Sequence, residues 1–180
     1  MNFRIDQKYI VELRFLVLPI CIVILLACAT VPTKTYEETV SQWKSYEDAA
    51  KWMKRHFSYD LGRLKEVRGK PAMPRSPEET FRLKSGLCYD AAYFLKDVLD
   101  RIDPSYEARV VFVEVSPFPA VLHDFVCSFK KEGKLFIMHY GTLVNNLVGV
   151  HGPYDSLDEF KQFYERNHPK SPRVLSVRYR

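Results

Sequence analysis

The chain has 180 residues, the length of one ordinary domain, and 47% of them are hydrophobic and 27% charged. This composition excludes a fully disordered or collagen-like chain, and a single apolar segment excludes a polytopic transporter or channel. The net charge of +5 is scattered, without a basic stripe that carries interleaved aromatic residues, so it does not indicate nucleic-acid binding.

The N-terminal 27 residues have the pattern of an export signal. Three basic residues precede an uncharged, largely apolar run over residues 15–31. Residues 25–28 of that run, LLAC, resemble the bacterial lipobox, and in lipoproteins the matching cysteine, here Cys28, is lipidated and becomes the mature N-terminus. An uncleaved single-span anchor is the alternative, because 17 uncharged residues lie at the short end of membrane-spanning length. Both interpretations predict a domain outside the cytoplasm, tethered to a membrane of the bacterial cell envelope.

The rest of the chain is predicted to be a linker over residues 28–35 and a single α+β domain over residues 36–180. Two serines, each followed three positions later by glutamate, are typical of helix starts. The expected elements are, in chain order, a helix over 44–57, a loop over 58–75, a short helix from Ser76 to Gly86, a helix over about 87–102, a strand over 107–115, a hairpin of strands 123–130 and 134–140, a loop over 141–155, a helix from Ser156 to about 167, and a closing strand over 174–179.

Cys88 and His123 are the residues that indicate chemistry. Cys88 lies at the predicted start of a helix, where unpaired backbone N–H groups and the helix dipole favour the nucleophilic thiolate. Gly86, two residues earlier, permits the tight turn that exposes such a side chain. His123 opens a strand, where an imidazole can accept the thiol proton and later protonate a leaving amine.

These residues resemble a known family. Residues 86–95, GLCYDAAYFL, are similar to the nucleophile helix of the transglutaminase-like superfamily, a branch of the papain-like fold, in its bacterial cysteine-protease type. In that family a strand follows, matched by residues 108–113, and then a histidine at a strand start, matched by His123. The resemblance covers about residues 44–140. It implies N-terminal helices, a helix that carries Cys88 packed on an antiparallel sheet with the other catalytic residues, and acyl transfer through a thioester.

The resemblance also implies a third residue about fifteen positions after the histidine, usually aspartate, and here His139 stands at the matching place. Some papain-like cell-wall peptidases are similar in using a Cys-His-His arrangement. If the hairpin loop has three residues, His123 and His139 share one sheet face, and if it has two, His139 points away. Asp124 lies on the opposite strand face from His123, and Asp90 points elsewhere on its helix, so we expect neither to orient His123.

The remaining polar features have less specific interpretations. Cys127 is expected to be a core thiol, and although an exported protein can form one disulfide, the pattern around Cys88 argues against a bridge there. The four basic residues over 63–70 are either a solvated surface or a site for an anionic ligand. We favour the solvated surface, because no glycine-rich phosphate cradle accompanies them.

The sequence thus predicts an envelope-anchored cysteine enzyme of the transglutaminase-like group, with Cys88, His123 and His139 as candidate catalytic residues. Its substrate is then a peptide or protein, and hydrolysis is favoured over cross-linking. The alternatives are a peptidoglycan-directed cysteine peptidase and a catalytically inactive binding module of the same fold. The chemistry requires no metal and no cofactor, and the expected partners are the substrate and the membrane, not nucleic acid.

Overall fold

The structure, a computed structural model, describes residues 34–70, 73–116 and 121–180. The predicted signal or anchor over residues 1–27, the lipidation site Cys28 and most of the predicted linker lie outside the described residues. Thr35–Arg180 forms one compact unit. Among the described residues, no helix combines the length and the apolar character needed to span a membrane.

The centre of the domain is a five-stranded antiparallel sheet with strand order β6-β5-β4-β3-β7. Its strands are β3 Arg109–Ser116, β4 Leu122–Lys131, β5 Lys134–His139, β6 Gly149–Tyr154 and β7 Arg173–Tyr179. Two further strands of two residues each, β1 Ser58–Tyr59 and β2 Ser85–Gly86, pair in parallel outside this sheet.

Six α-helices and two short 3₁₀ turns are formed by the described residues. The helices are α1 Tyr36–Val40, α2 Tyr46–His56, α3 Leu61–Val67, α4 Pro77–Leu83, α5 Cys88–Ile102 and α6 Leu157–Asn167, and the 3₁₀ turns are Pro104–Tyr106 and Asn145–Leu147. The two predicted serine caps are confirmed, since Ser76 Oγ accepts from Glu79 N–H and Ser156 Oγ accepts from Glu159 N–H.

Helices cover both faces of the sheet. Helix α5 packs against one face, where buried Phe94 and Leu95 join Cys127, Phe129 and Met138 in a core shared with α1 and α2. Helix α6 packs against the other face, in a second core that includes Val111, Val126, Ile137 and Phe160. The predicted α+β class, with the Cys88 helix packed on an antiparallel sheet, is therefore confirmed.

Two predicted loops contain regular structure. The segment 58–75 includes helix α3, whose start is capped by the Asp60 side chain, which accepts from Arg63 N–H. The glycines of the segment obscure this helix start in the sequence. The segment 141–155 includes β6, whose glycines and proline are unusual in a strand. Strand β6 is an edge strand, where a missing backbone donor costs little.

Candidate functional site

Cys88 is the first residue of helix α5 and is half-buried at the floor of a surface cleft. The backbone N–H groups of Phe125 and Tyr89 lower the pKa of its thiol, against the larger effect of burial. Cys88 therefore has the helix-start position that the sequence predicts, together with donors that favour a negative sulfur.

Asp90 holds the turn that precedes Cys88. Its carboxylate is fully buried and accepts from the backbone N–H groups of Leu87 and Arg75, each at 2.8 Å. Arg63 on α3 neutralises it, with Nε 2.8 Å from Oδ2 and Nη2 3.2 Å from Oδ1. Gly86 is required here because a Cβ atom at this position would lie 2.6 Å from Asp90 Cβ. Asp90 is thus a positioning residue, which supplies one half of a capping box by accepting from Leu87 N–H, and the leucine at the N-cap left no sequence signal for it.

The carboxylate of Asp124 acts on the Cys88 thiol: after the larger effect of burial, its negative charge raises the pKa of that thiol. Asp124 is 9% exposed, and its Oδ2 lies 3.0 Å from the Tyr164 hydroxyl on α6, which donates to it. The same oxygen lies 3.0 Å from Nε2 of His139, which is 1% exposed, although outside ordinary hydrogen-bond angles. The N–H of Phe125 donates to Oδ1 at 2.8 Å. Asp124 is thus the centre of a buried polar cluster below Cys88.

The electrostatics of this cluster oppose a thiolate. Burial raises the pKa of Asp124, but His139, Tyr164 and the Phe125 N–H outweigh burial and hold that pKa below its ordinary value. Burial, followed by the negative charge of Asp124, raises the pKa of the Cys88 thiol far above its ordinary value, against the smaller effect of its backbone donors. Burial and the charge of Asp124 therefore disfavour the thiolate that the helix start alone favours.

His123 lies on the same cleft wall as Cys88, but its ring points to solvent. Its side chain is 57% exposed, its Nε2 is 3.9 Å from Glu114 Oε1, and its ring packs on Phe112 at 5.0 Å between centroids. Within the described part of the chain, the structure shows no hydrogen bond or ion pair between Cys88 and either His123 or His139. It therefore brings Asp124 and His139 together, and leaves His123 with Cys88 among the residues that line the cleft.

The hairpin register explains this arrangement. Lys131 pairs with Lys134, so the β4–β5 loop has only two residues, Glu132 and Gly133, both with positive φ. This is the two-residue alternative, in which His139 lies on the opposite face from His123. Asp124 lies on the same sheet face as His139. Because successive residues of a strand point to opposite faces, Asp124 lies on the face opposite to that of its neighbour His123.

Gly141, which follows β5, packs closely against the backbone at the start of α5. A Cβ atom at this position would lie 2.4 Å from Cys88 Cα and 2.8 Å from Cys88 N, so only glycine allows this close backbone approach. The contact fixes the distance between the strand that carries His139 and the helix that carries Cys88. The sequence gives no local pattern for this role, because the approach is between segments far apart in the chain.

The cleft above Cys88 has a volume of about 460 Å³. Aromatic side chains, including Tyr59, Tyr89 and Phe125, form much of its wall. Burial raises the pKa of Tyr59 to about 12, with smaller contributions from Cys88 and Asp124, so its phenol is neutral at physiological pH. The cleft is large enough for a small ligand or for a few residues of a peptide.

The two cysteines of the described domain do not form a disulfide. Cys88 and Cys127 are both free, and Cys127 is fully buried in the core. No group of three or more potential metal ligands occurs among residues 34–70, 73–116 and 121–180.

The chain matches no protein-family model, and no curated protein is significantly similar to it.

Proposed function

We propose that residues 35–180 are a transglutaminase-like, papain-like domain that binds a peptide or amide ligand in the Cys88 cleft without forming a thioester. The order of elements supports this: a cysteine begins a helix that packs on an antiparallel sheet, and two adjacent strands supply the polar partners. Asp124 and His139 are 15 residues apart, the spacing of the family's histidine and third residue. In this chain the two residue types stand in exchanged positions.

The observation that carries the proposal is the environment of the thiol, in which burial and then the negative charge of Asp124 raise the pKa of Cys88. A nucleophilic cysteine needs a neighbour that accepts its proton and then stabilises the thiolate by a positive charge. Asp124 does neither, because its own pKa is lowered and its negative charge raises the pKa of Cys88. His139 lies against Asp124 and so stabilises the carboxylate rather than the sulfur.

A thioester-forming peptidase or amidase is the second candidate. It is favoured by one observation, the position of Cys88 as the first residue of helix α5, where unpaired backbone N–H groups favour a negative sulfur. A peptidoglycan-directed peptidase with a Cys-His-His arrangement is less well supported, since the register puts His123 and His139 on opposite sheet faces.

The pH dependence of Cys88 alkylation separates the two candidates. We would treat the full chain in non-ionic detergent with iodoacetamide and follow modification at Cys88 alone by peptide mass spectrometry. We expect slow labelling at pH 7 that rises only in alkaline buffer, and no change in His123→Ala or in the exposed control His56→Ala. Fast labelling below pH 7 that collapses in His123→Ala alone would refute the proposal and support the enzyme.

A direct search for acyl transfer complements this measurement. The same protein is incubated with a peptide nitrophenyl ester, which acylates reactive cysteine enzymes, and its intact mass is recorded. We expect no acyl adduct on Cys88. An adduct that is lost in Cys88→Ser and hydrolyses with turnover would contradict the binding role.

We also propose that the domain is anchored in the bacterial envelope through Cys28. The support is the sequence pattern of residues 15–28. In bacteria fed an alkyne-labelled fatty acid, we expect label on the wild-type chain and on Cys21→Ser, but not on Cys28→Ser. Unlabelled protein that stays in the membrane would instead support the uncleaved single-span anchor.

A further inference from the structure

Charged side chains of one sign surround the Cys88 cleft. Arg68, Lys70 and Arg180 line it together with His123, and no aspartate or glutamate is among the described residues that line it. Arg68 and Lys70 follow helix α3, while Arg180 follows strand β7 and has its guanidinium carbon 5.4 Å from the Phe125 ring centroid. The cations that line the cleft therefore come from two segments that are distant in the sequence.

Arg68, Lys70 and Arg180 form no ion pair with an acidic residue within the described ranges, in contrast to Arg63 of the same segment as the first two. Arg63 forms an ion pair with the buried Asp90 and does not line the cleft. Arg68 and Lys70 are exposed, and no ion pair to either is formed within the described ranges. The carboxylate of Asp124, which does not line the cleft, is already held by His139 and Tyr164.

The cleft also presents apolar surface beside its positive charge. Leu64 is 40% exposed and Met73 is 80% exposed, and both line the cleft near Arg68 and Lys70. Exposed apolar side chains of this size in a concave site are typical of a binding surface. A ligand that satisfies both features has a carboxylate flanked by apolar side chains.

From this charge complementarity we propose that the cleft selects peptides that carry a carboxylate, which binds among Arg68, Lys70 and Arg180, with neighbouring apolar residues against Leu64 and Met73. The inference deepens the proposed function and rests on it. Two sources supply the same chemistry, an acidic side chain within a segment and the free carboxylate of a peptide C-terminus.

Calorimetric titration of the full chain in non-ionic detergent tests the inference with four acetylated pentapeptides. One is Ala-Leu-Glu-Leu-Ala amide, with a side-chain carboxylate. The second is Ala-Leu-Gln-Leu-Ala with a free C-terminus, and the third is the neutral amide of the same sequence. The fourth is the amide in which Lys replaces Gln. We expect one or both of the first two to bind at least about fivefold more tightly than the neutral amide, and the basic peptide to bind most weakly.

Variants assign the selectivity to the cleft. In Arg68→Gln combined with Lys70→Gln, we expect the acidic peptide to lose roughly five- to tenfold in affinity while the neutral amide changes little. Lys65→Gln is the matched control, because Lys65 is exposed on α3 but does not line the cleft. Raising the salt concentration should weaken only the acidic peptides.

The outcomes separate this inference from the proposed function. Equal binding of acidic and neutral peptides, or the same loss in Lys65→Gln, overturns charge selection and leaves a peptide-binding domain. A Cys88 acyl adduct overturns the non-catalytic role, while the affinity ratios still test charge selection. Failure of all four peptides to bind overturns both.

Discussion

Exchanging Asp124 and His139 should create a reactive cysteine. In the double variant Asp124→His with His139→Asp, the imidazole stands beside the Cys88 sulfur and the carboxylate lies behind it. This is the order in which a base accepts the thiol proton and an acid residue orients the base. The exchange conserves the side chains of the cluster and leaves the cleft walls unchanged, so it tests the electrostatic argument directly.

The size of the effect follows from one buried charge. Two unit charges about 4 Å apart interact by ~4 kcal/mol at an effective dielectric constant of ~20. Since about 1.4 kcal/mol is a factor of ten, deleting the charge in Asp124→Asn raises the thiolate fraction at pH 7 by up to roughly 1000-fold. Cys88 is only half-buried, so solvent screening reduces this, and we expect about 100-fold. The exchange adds an imidazolium and should exceed the single variant.

The assay is the rate of iodoacetamide labelling at Cys88 as a function of pH, with circular dichroism and urea unfolding to verify that each variant is folded. We expect the order wild type, Asp124→Asn, double variant, from slowest to fastest at pH 7. Equal rates in the three folded proteins would refute the reasoning, because Asp124 would then not control the thiol. A wild type that is already the fastest would refute it more strongly.

Three further predictions concern stability. Gly141→Ala should lower the free energy of unfolding by about 1–3 kcal/mol, because its Cβ would lie 2.4 Å from Cys88 Cα, and the urea midpoint measures this. Arg63→Met should cost about 3 kcal/mol in the same assay, because it leaves the fully buried Asp90 without its cation. The pKa of Asp124 is lower in the folded than in the unfolded chain, so its stabilisation is complete above its ordinary pKa of about 3.9 and is lost as the pH falls through the folded value. Urea unfolding from pH 6 downward should therefore show a shallower acid decline in Asp124→Asn.

Matched variants make these results specific. Gly62→Ala, inside helix α3, should leave stability unchanged or raise it, since the nearest atom to its Cβ is a side-chain oxygen at 3.3 Å. Lys65→Met should stay within about 0.5 kcal/mol of wild type. Losses in these controls as large as in Gly141→Ala and Arg63→Met would contradict the assigned contacts, and an unchanged acid decline in Asp124→Asn would contradict the role of that carboxylate.

Local sequence signals predicted most of the fold. Serine caps with a glutamate three residues later placed two helix starts correctly, and the valine-rich segment that became β3 was correctly predicted as a strand. Helix α3 and strand β6 were missed because glycines interrupt both patterns, and their stability depends on contacts outside the segment. Short, irregular elements of this kind are decided by tertiary packing rather than by propensity.

The candidate site was only partly predictable, for a reason of register. The position of Cys88 at a helix start follows from local sequence, but the partner of His139 depends on one loop residue in the hairpin. A loop of two residues instead of three puts His123 and His139 on opposite sheet faces, and it places Asp124 beside His139. The roles of Tyr164 and Gly141 involve segments distant in sequence, which no short-range pattern reveals.

The contact between Asp124 and His139 also limits how the chain can change by mutation. Substitutions arise singly, and replacing His139 by aspartate first would place two carboxylates in contact in a buried site, where both cannot be ionised. Replacing Asp124 by histidine first would remove the acceptor of the Tyr164 hydroxyl and oppose two imidazoles. Either path crosses a less stable intermediate, so single substitutions are expected to preserve the present order of the two residues.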